Sequence, residues 1–149
     1  MVFSGRDLYY NQGLGSFFSR VLPLRLAGDL TQWGSLLLVV SGLWFVWRKR
    51  LSIIHSVFLF LPIFLLVEPL SWQHHYVFLL PVYVWVAWTL RKNIPGVVLL
   101  AFSYILVGAN IAYPFALRSL PGSALLLSHV LFGNFILVSL VLGILNKRK

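Results

Sequence analysis

Five apolar segments separated by short polar stretches make up most of this 149-residue chain. They cover residues 30–47, 52–67, 76–90, 94–113 and 124–145. A helix that crosses a bilayer needs about 20 mostly apolar residues, with a range of about 17–25, and the second and third segments are short by this measure. We expect an all-α fold: a polytopic bundle of five transmembrane helices with an additional helix before them.

The composition is that of a chain surrounded by lipid. Hydrophobic residues make up 60% and charged residues 10%, against about 45–50% and 25% in soluble domains. A net charge of +9 could indicate nucleic acid, but the basic residues form short clusters between apolar runs, which is typical of membrane topology. We therefore expect a lipid membrane, and no nucleic acid, among the partners. Without cysteine the chain has no disulfide or thiolate metal site.

The basic residues predict an orientation in the membrane. If each segment crosses once, eight of the twelve fall on one side, in clusters at 48–50, 91–92 and 147–149. Arg6, Arg20, Arg25 and Arg118 fall on the other side with all three acidic residues. Since cytoplasmic loops are enriched in Lys and Arg, we expect a multi-pass protein of the cell membrane with its N-terminus outside and its C-terminus in the cytoplasm. Residues 1–29 would form an extracytoplasmic interfacial segment and residues 30–149 the transmembrane domain.

An amphipathic pattern precedes the first apolar segment. Apolar side chains at positions 14, 17, 18, 21 and 22 follow the spacing of one helical face. Asn11 could cap this helix and Pro23 could end it. We predict a helix over residues 11–22. It would either lie in the outer membrane interface with its apolar side down or pack against the bundle without a ligand role.

Small and polar residues in the last two segments predict helix contacts. Gly108 with Ala112, and Ser139 with Gly143, have the spacing that lets helices approach closely in lipid. Asn134 is expected to make a hydrogen bond between helices, an interaction worth about 0.6 kcal/mol in a membrane.

A polar stretch at residues 68–76 between two apolar segments is the main candidate site. Pro69 has no N–H and should break the helix after Glu68, which frees the following residues to form a shallow re-entrant turn. His74 and His75 could donate hydrogen bonds to a phosphate, and Arg20 and Arg25 on the same side could pair with its oxygens. Alternatively, both imidazoles lie among lipid headgroups like other interfacial polar residues.

Motifs of other chemistries are missing from the sequence. Adjacent histidines do not share a helix face, and neither HxxxH nor HExxH spacing occurs. We find no GxSxG, no Gly-rich phosphate loop and no paired carboxylates. We therefore predict no metal site and no cofactor.

Two motifs together carry a resemblance to a known family. The first is Asn11-Gln12-Gly13-Leu14 with a following Arg20. The second is the stretch 68–76, which Pro81 follows shortly after. This pair is similar to the C-terminal half of family 87 glycosyltransferases, which are polytopic bacterial enzymes of the GT-C superfamily related to polyprenol-phosphate-mannose-dependent mannosyltransferases. The resemblance covers residues 9–90.

The resemblance implies a reaction and a set of site residues. Family members transfer a sugar, here expected to be mannose, from a polyprenyl-phosphate carrier to an acceptor on the outer side of the cytoplasmic membrane. It implies that His74, His75 and Trp72 belong to the substrate pocket, and that Asn11, Gln12 and Arg20 line or brace it.

The chain departs from the family in three respects. Gly13 and Glu68 stand where the family has Ser, and the Asp of the first outer loop, which serves the family as general base, is absent from this sequence. We expect a C-terminal portion of a transferase that acts with an N-terminal half, unless Glu68 substitutes as the base, so enzymatic activity of the chain alone is left open. The alternatives are a non-catalytic subunit or degenerate remnant that binds a lipid carrier or a partner protein, and a small transporter subunit.

Overall fold

The computed structural model of the protein describes residues 11–69, 71, 73–109, 125 and 127–147. Its regular elements in these ranges are six α-helices and one 3₁₀ helix, with no strand, which confirms the predicted all-α class. In chain order they are α1 (Leu14–Val21), α2 (Leu24–Lys49), α3 (Ile53–Val67), the 3₁₀ helix (Gln73–Leu79), α4 (Leu80–Leu90), α5 (Ile94–Gly108) and α6 (His129–Lys147).

Two of these helices, α2 and α6, are long and apolar enough to cross a membrane. Helices α3 and α5 are apolar but have 15 residues each, which at 1.5 Å per residue is about 22 Å, against a hydrocarbon core of about 30 Å. The predicted third segment is divided between the 3₁₀ helix and α4. Helix α2 begins directly after Pro23 and continues through residues 29 and 30, so the helix starts earlier than the apolar segment predicted from residue 30.

Helix α6 is the centre of the bundle and α2 lies at its outside. In their most apolar 18-residue windows, 56% of α6 is buried within the protein but only 6% of α2. The buried face of α6 packs between α3, α4 and α5. On α2 only Ala27 and Gly42 are buried, while large apolar side chains such as Leu37, Trp44 and Trp47 are exposed. The surface of α2 that faces away from the bundle is therefore apolar, as the interior of a soluble protein is.

Short turns bring the basic clusters at residues 48–50 and 91–92, together with Lys147, to one end of the bundle. Arg50 ends α2 in a left-handed conformation (φ 49°), and the next N–H, that of Leu51, bonds to the carbonyl of Val46 at 3.1 Å, which closes the helix. Lys49 Nζ donates to the carbonyl of Asn146 at 3.2 Å, so the C-terminal ends of α2 and α6 are neighbours. Arg91, at the end of α4, stacks on Trp88 at 4.4 Å.

The predicted amphipathic helix is present as α1, which is shorter than residues 11–22. Gly13 is its N-cap residue, and Asn11, predicted as the cap, lies two residues outside the helix. The helix ends before Pro23, as predicted. Its apolar face points into the protein, because Leu14 is buried and the Phe17 ring lies 5.9 Å from that of Phe132. This arrangement corresponds to the second interpretation, a helix packed against the bundle.

Helices approach closely at glycines other than those predicted. A Cβ at Gly133 would lie 2.8 Å from the carbonyl oxygen of Ser103 and 2.9 Å from the Cβ of Leu106, so α5 and α6 nearly touch there. A Cβ at Gly108 or Gly143 would meet nothing within 4 Å. The predicted pair Ser139–Gly143 was wrong because both residues are exposed, and Ala112, the partner predicted for Gly108, lies outside the described residues.

Hydrogen bonds between polar side chains and backbone carbonyls connect the helices inside the bundle. Asn134 of α6 donates to the carbonyl of Pro62 in α3 at 2.9 Å, which confirms the predicted interhelical bond. Ser103 of α5 donates to the carbonyl of Gly133 at 2.7 Å and is 2.8 Å from the Tyr83 hydroxyl of α4. These bonds fix the positions of α3, α4, α5 and α6 relative to one another.

We predict that Gly133→Ala destabilises the protein and that Gly143→Ala does not. The new methyl group at 133 would force two helix backbones apart, and overpacking of this kind costs about 1–3 kcal/mol. Gly143→Ala in the same helix has free space and gains helix propensity. Thermal unfolding of both variants in the same detergent, followed by circular dichroism, makes the comparison. Equal midpoints would contradict the close approach of α5 and α6.

Candidate functional site

The two sequence motifs meet at the end of the bundle opposite the basic clusters at residues 48–50 and 91–92. Helix α3 stops at Val67 because Pro69 follows closely, and Glu68 leaves the helix in an extended conformation. The backbone N–H of Gln12 donates to the carbonyl of Ser71 at 2.8 Å. The Asn11 side chain donates to the carbonyl of Pro69 at 2.6 Å. Asn11 and Gln12 thus form one hydrogen-bonded unit with Pro69 and Ser71, which we call the motif junction.

Gly13 is required at the motif junction because there is no space for a side chain. A Cβ at this position would lie 2.8 Å from the carbonyl oxygen of Glu68 and 3.3 Å from that of Leu66. Both neighbours are backbone atoms at the end of a helix, so neither can move like the tip of a flexible side chain. The Gly13 N–H bonds to the Asn11 side chain at 3.3 Å. The serine of the resembling family would not fit here.

Arg20 braces the motif junction against the start of α6. One terminal nitrogen, Nη2, donates to the carbonyl of Asn11 at 2.6 Å. The other, Nη1, donates to the Ser128 hydroxyl at 3.0 Å and lies 3.4 Å from the carbonyl of Leu127. A planar guanidinium can serve such separated acceptors at once. In this structure Arg20 therefore binds protein groups, and its contacts join α1 to α6.

Tyr76 packs against the motif junction from the interior of the bundle. Its ring is buried, with 4% of the side chain exposed. Its hydroxyl is 3.4 Å from the carbonyls of Gln12 and Leu65 and 3.5 Å from the Ser71 hydroxyl. These distances exceed the 2.7–2.8 Å typical of strong O–H···O bonds. The Tyr76 hydroxyl therefore shares its one proton weakly between two carbonyl oxygens and accepts a weak bond from the Ser71 hydroxyl.

Pro81 explains why the segment after the junction is a 3₁₀ helix. Pro81 lies in the first turn of α4, where its ring would clash with the carbonyl four residues earlier in an α-helix. The chain before it winds more tightly, with three residues per turn, so that side chains three apart share one face. Tyr76 and Leu79 form the buried face, and His74 and His75 begin the two other faces.

The two imidazoles line different cavities. His74, with Val77 three residues later, faces an open cavity of about 270 Å³ that includes Tyr83 of α4 and Tyr104 of α5. His75, with Phe78 three residues later, faces a second cavity of about 290 Å³ against α3, which includes Glu68. The rings are close, with centroids 4.4 Å apart, but they meet edge to face. We call the two spaces the His74 cavity and the His75 cavity.

The predicted site residues thus separate into three groups. Asn11, Gln12 and Arg20 are in the motif junction, where Asn11 and Gln12 are buried. His74 and His75 follow at the same end of the bundle but face different cavities, and Glu68 accompanies His75. Trp72 lies outside the described residues. Among those described, no three His, Asp or Glu side chains gather as a metal ion would require.

Three residues of this region escaped sequence reasoning. Ser128 accepts a bond from Arg20, and Tyr83 and Tyr104 line the His74 cavity. Spacing within the 3₁₀ helix does not say which residues of α4 and α5 face His74, so no local sequence signal identified the two tyrosines. Nothing in the sequence near Ser128 distinguishes it from the other serines.

The comparisons with known proteins add no relative. The chain matches no protein-family model, no curated protein and no solved structure.

We predict that Gly13→Ala disrupts the motif junction. Its methyl group would overlap the backbone of residues 66 and 68 and cost about 1–3 kcal/mol as overpacking. Gly28→Ala is the matched control, because a Cβ there meets nothing within 4 Å. Limited proteolysis and thermal unfolding of the full chain in detergent report the difference. A Gly13→Ala protein as resistant and as stable as Gly28→Ala would show that the two motifs are not in contact.

Proposed function

We propose that this chain is the C-terminal portion of an integral membrane glycosyltransferase. The reaction would transfer a sugar, mannose, from a polyprenyl-phosphate carrier to an acceptor on the outer side of the cytoplasmic membrane. The observation that carries this proposal is the motif junction. Two motifs that resemble one transferase family, nearly sixty residues apart in the sequence, are hydrogen-bonded to each other beside both histidines.

The surface of the protein supports a membrane location. Helix α2 exposes large apolar side chains along its length, and exposed apolar area of that extent normally contacts lipid or another protein. The basic residues at the far end would then mark the cytoplasmic side, and the motif junction would face outside. Five crossings remain part of the proposal, with the shorter helices α3, α4 and α5 accommodated within the bundle.

The cavities at the outer end would serve the donor lipid. An imidazole can donate a hydrogen bond to a phosphate oxygen and stabilise the phosphate as it leaves. The acceptor hydroxyl also needs a base. Glu68 is the one carboxylate that lines either cavity among the described residues. We therefore propose that the base comes from a second half of the transferase. Glu68 is the candidate base if no such half supplies one.

The alternative is a non-catalytic subunit or remnant that binds a lipid carrier or partner protein. Arg20 and Asn11, which the resemblance connects with the pocket, donate to carbonyls of the protein itself. This observation favours a structural role for the junction, with carrier binding left to the cavities.

Cysteine labelling in intact cells tests the orientation. The natural chain has no cysteine, so single replacements report without background. We expect a membrane-impermeant maleimide to label His74→Cys from outside and to label Lys147→Cys only after the cells are broken. The opposite pattern would place the motif junction in the cytoplasm and overturn the transferase proposal.

Carrier binding and sugar transfer test the function itself. We expect membranes containing the chain to bind polyprenyl-phosphate-mannose, and to transfer mannose when the N-terminal half is co-expressed. Arg20→Ala removes the brace and is expected to reduce carrier binding about tenfold, equivalent to about 1.4 kcal/mol. Arg48→Ala, at the basic end, should change it less than twofold by the same scale.

The outcomes separate the two functions. Carrier binding without transfer in any combination would favour the non-catalytic subunit. No binding of the carrier by the natural chain would overturn both.

A further inference from the structure

We infer that an anionic lipid headgroup binds in the His74 cavity and not in the His75 cavity. The inference rests on the proposed function and assigns the phosphate of the carrier to one of two neighbouring spaces. It also replaces the expectation that both imidazoles hold a single phosphate.

The 3₁₀ helix separates the imidazoles. In a helix with three residues per turn, consecutive side chains point about 120° apart. His74 therefore shares a face with Val77, and His75 shares a face with Phe78, as the linings of the two cavities reflect. An α-helix would place adjacent side chains about 100° apart, and neither geometry lets both rings converge on one ligand inside one cavity.

Charge distinguishes the two spaces. Among the described residues, the His75 cavity is lined by apolar side chains of α3 and by one carboxylate, that of Glu68. A phosphate there would be repelled by the carboxylate, because two like charges at short distance raise the electrostatic free energy. The described lining of the His74 cavity contains no carboxylate.

The His74 cavity also offers groups suited to a phosphorylated lipid. His74 is exposed toward it, and the half-exposed Tyr104 adds a second polar group at its rim. Val77, Leu80 and Val107 supply apolar walls for the first part of a lipid chain. A cavity of about 270 Å³ is slightly below the range of about 300–1,000 Å³ for sites that enclose a whole ligand, so it suits a headgroup with the beginning of its chain.

Binding of farnesyl phosphate to the full chain in phosphatidylcholine nanodiscs tests the assignment. We expect His74→Ala to weaken binding about tenfold, the loss of one charge-assisted hydrogen bond, and to leave binding of farnesol, which has no phosphate, unchanged. The loss from His75→Ala should be several-fold smaller. His55→Ala is the matched control, because this imidazole lies at the start of α3 beside Ser52 and Trp85.

Glu68→Gln provides an independent measurement. It removes the carboxylate charge that keeps phosphate out of the His75 cavity, so the double variant Glu68→Gln/His74→Ala should bind farnesyl phosphate more tightly than His74→Ala alone. A double variant that binds no more tightly than His74→Ala, or a larger loss from His75→Ala than from His74→Ala, would overturn the assignment while the proposed function stands. If His74→Ala fails to fold, His74→Gln keeps an N–H donor and should lose only part of the affinity, whereas full loss with His75→Gln would overturn the assignment.

Two further outcomes concern the ligand. Inorganic phosphate at the same concentration should not compete with farnesyl phosphate, and full competition would assign the site to free phosphate and overturn the inference. No binding of farnesyl phosphate by the natural chain would overturn the inference and the proposed function together.

Discussion

The helix break at Glu68 and Pro69 is the constraint on which the candidate site depends. A helix that continued through this point would bond its own carbonyls and leave none for Asn11 and Gln12. Because Pro69 ends α3, the carbonyls of Pro69 and Ser71 accept bonds from the chain before α1. Those bonds fix α1 on the end of α3, and Arg20 then reaches the start of α6. The break at this proline thus allows α1, the end of α3 and the start of α6 to contact one another at one end of the bundle.

The sequence predicted the parts of the fold that follow from hydrophobicity and from proline. The all-helical class, the end of α1 before Pro23 and the break after Glu68 each follow from a local rule, and the structure agrees with all three. Helix lengths were less predictable, because polar residues such as Arg25 and Asp29 do not end a helix whose sides are exposed. The first apolar run starts at residue 30, but α2 starts at Leu24.

Contacts between helices depend on which face each helix presents, and spacing within one helix does not contain this information. Gly133 and Gly143 are both glycines of α6, and only Gly133 meets another helix. The pattern of small residues four apart favoured Gly143. Gly133 faces α5 because Ser103 bonds to its carbonyl and also to the Tyr83 hydroxyl. The bond between Ser103 and Gly133 connects residues thirty positions apart in the sequence.

The division of the site between two cavities has the same origin as the break. Pro69 follows the end of α3 and Pro81 lies in the first turn of α4, and the described chain between these helices contains the seven-residue 3₁₀ helix Gln73–Leu79. Two adjacent histidines in such a segment face different neighbours, α4 and α5 on one side and α3 on the other. In such a site, two histidines can bind different chemical groups although their side chains are identical. The two cavities differ in the charge of the residues around each histidine, and in the described part of the chain Glu68 supplies that difference.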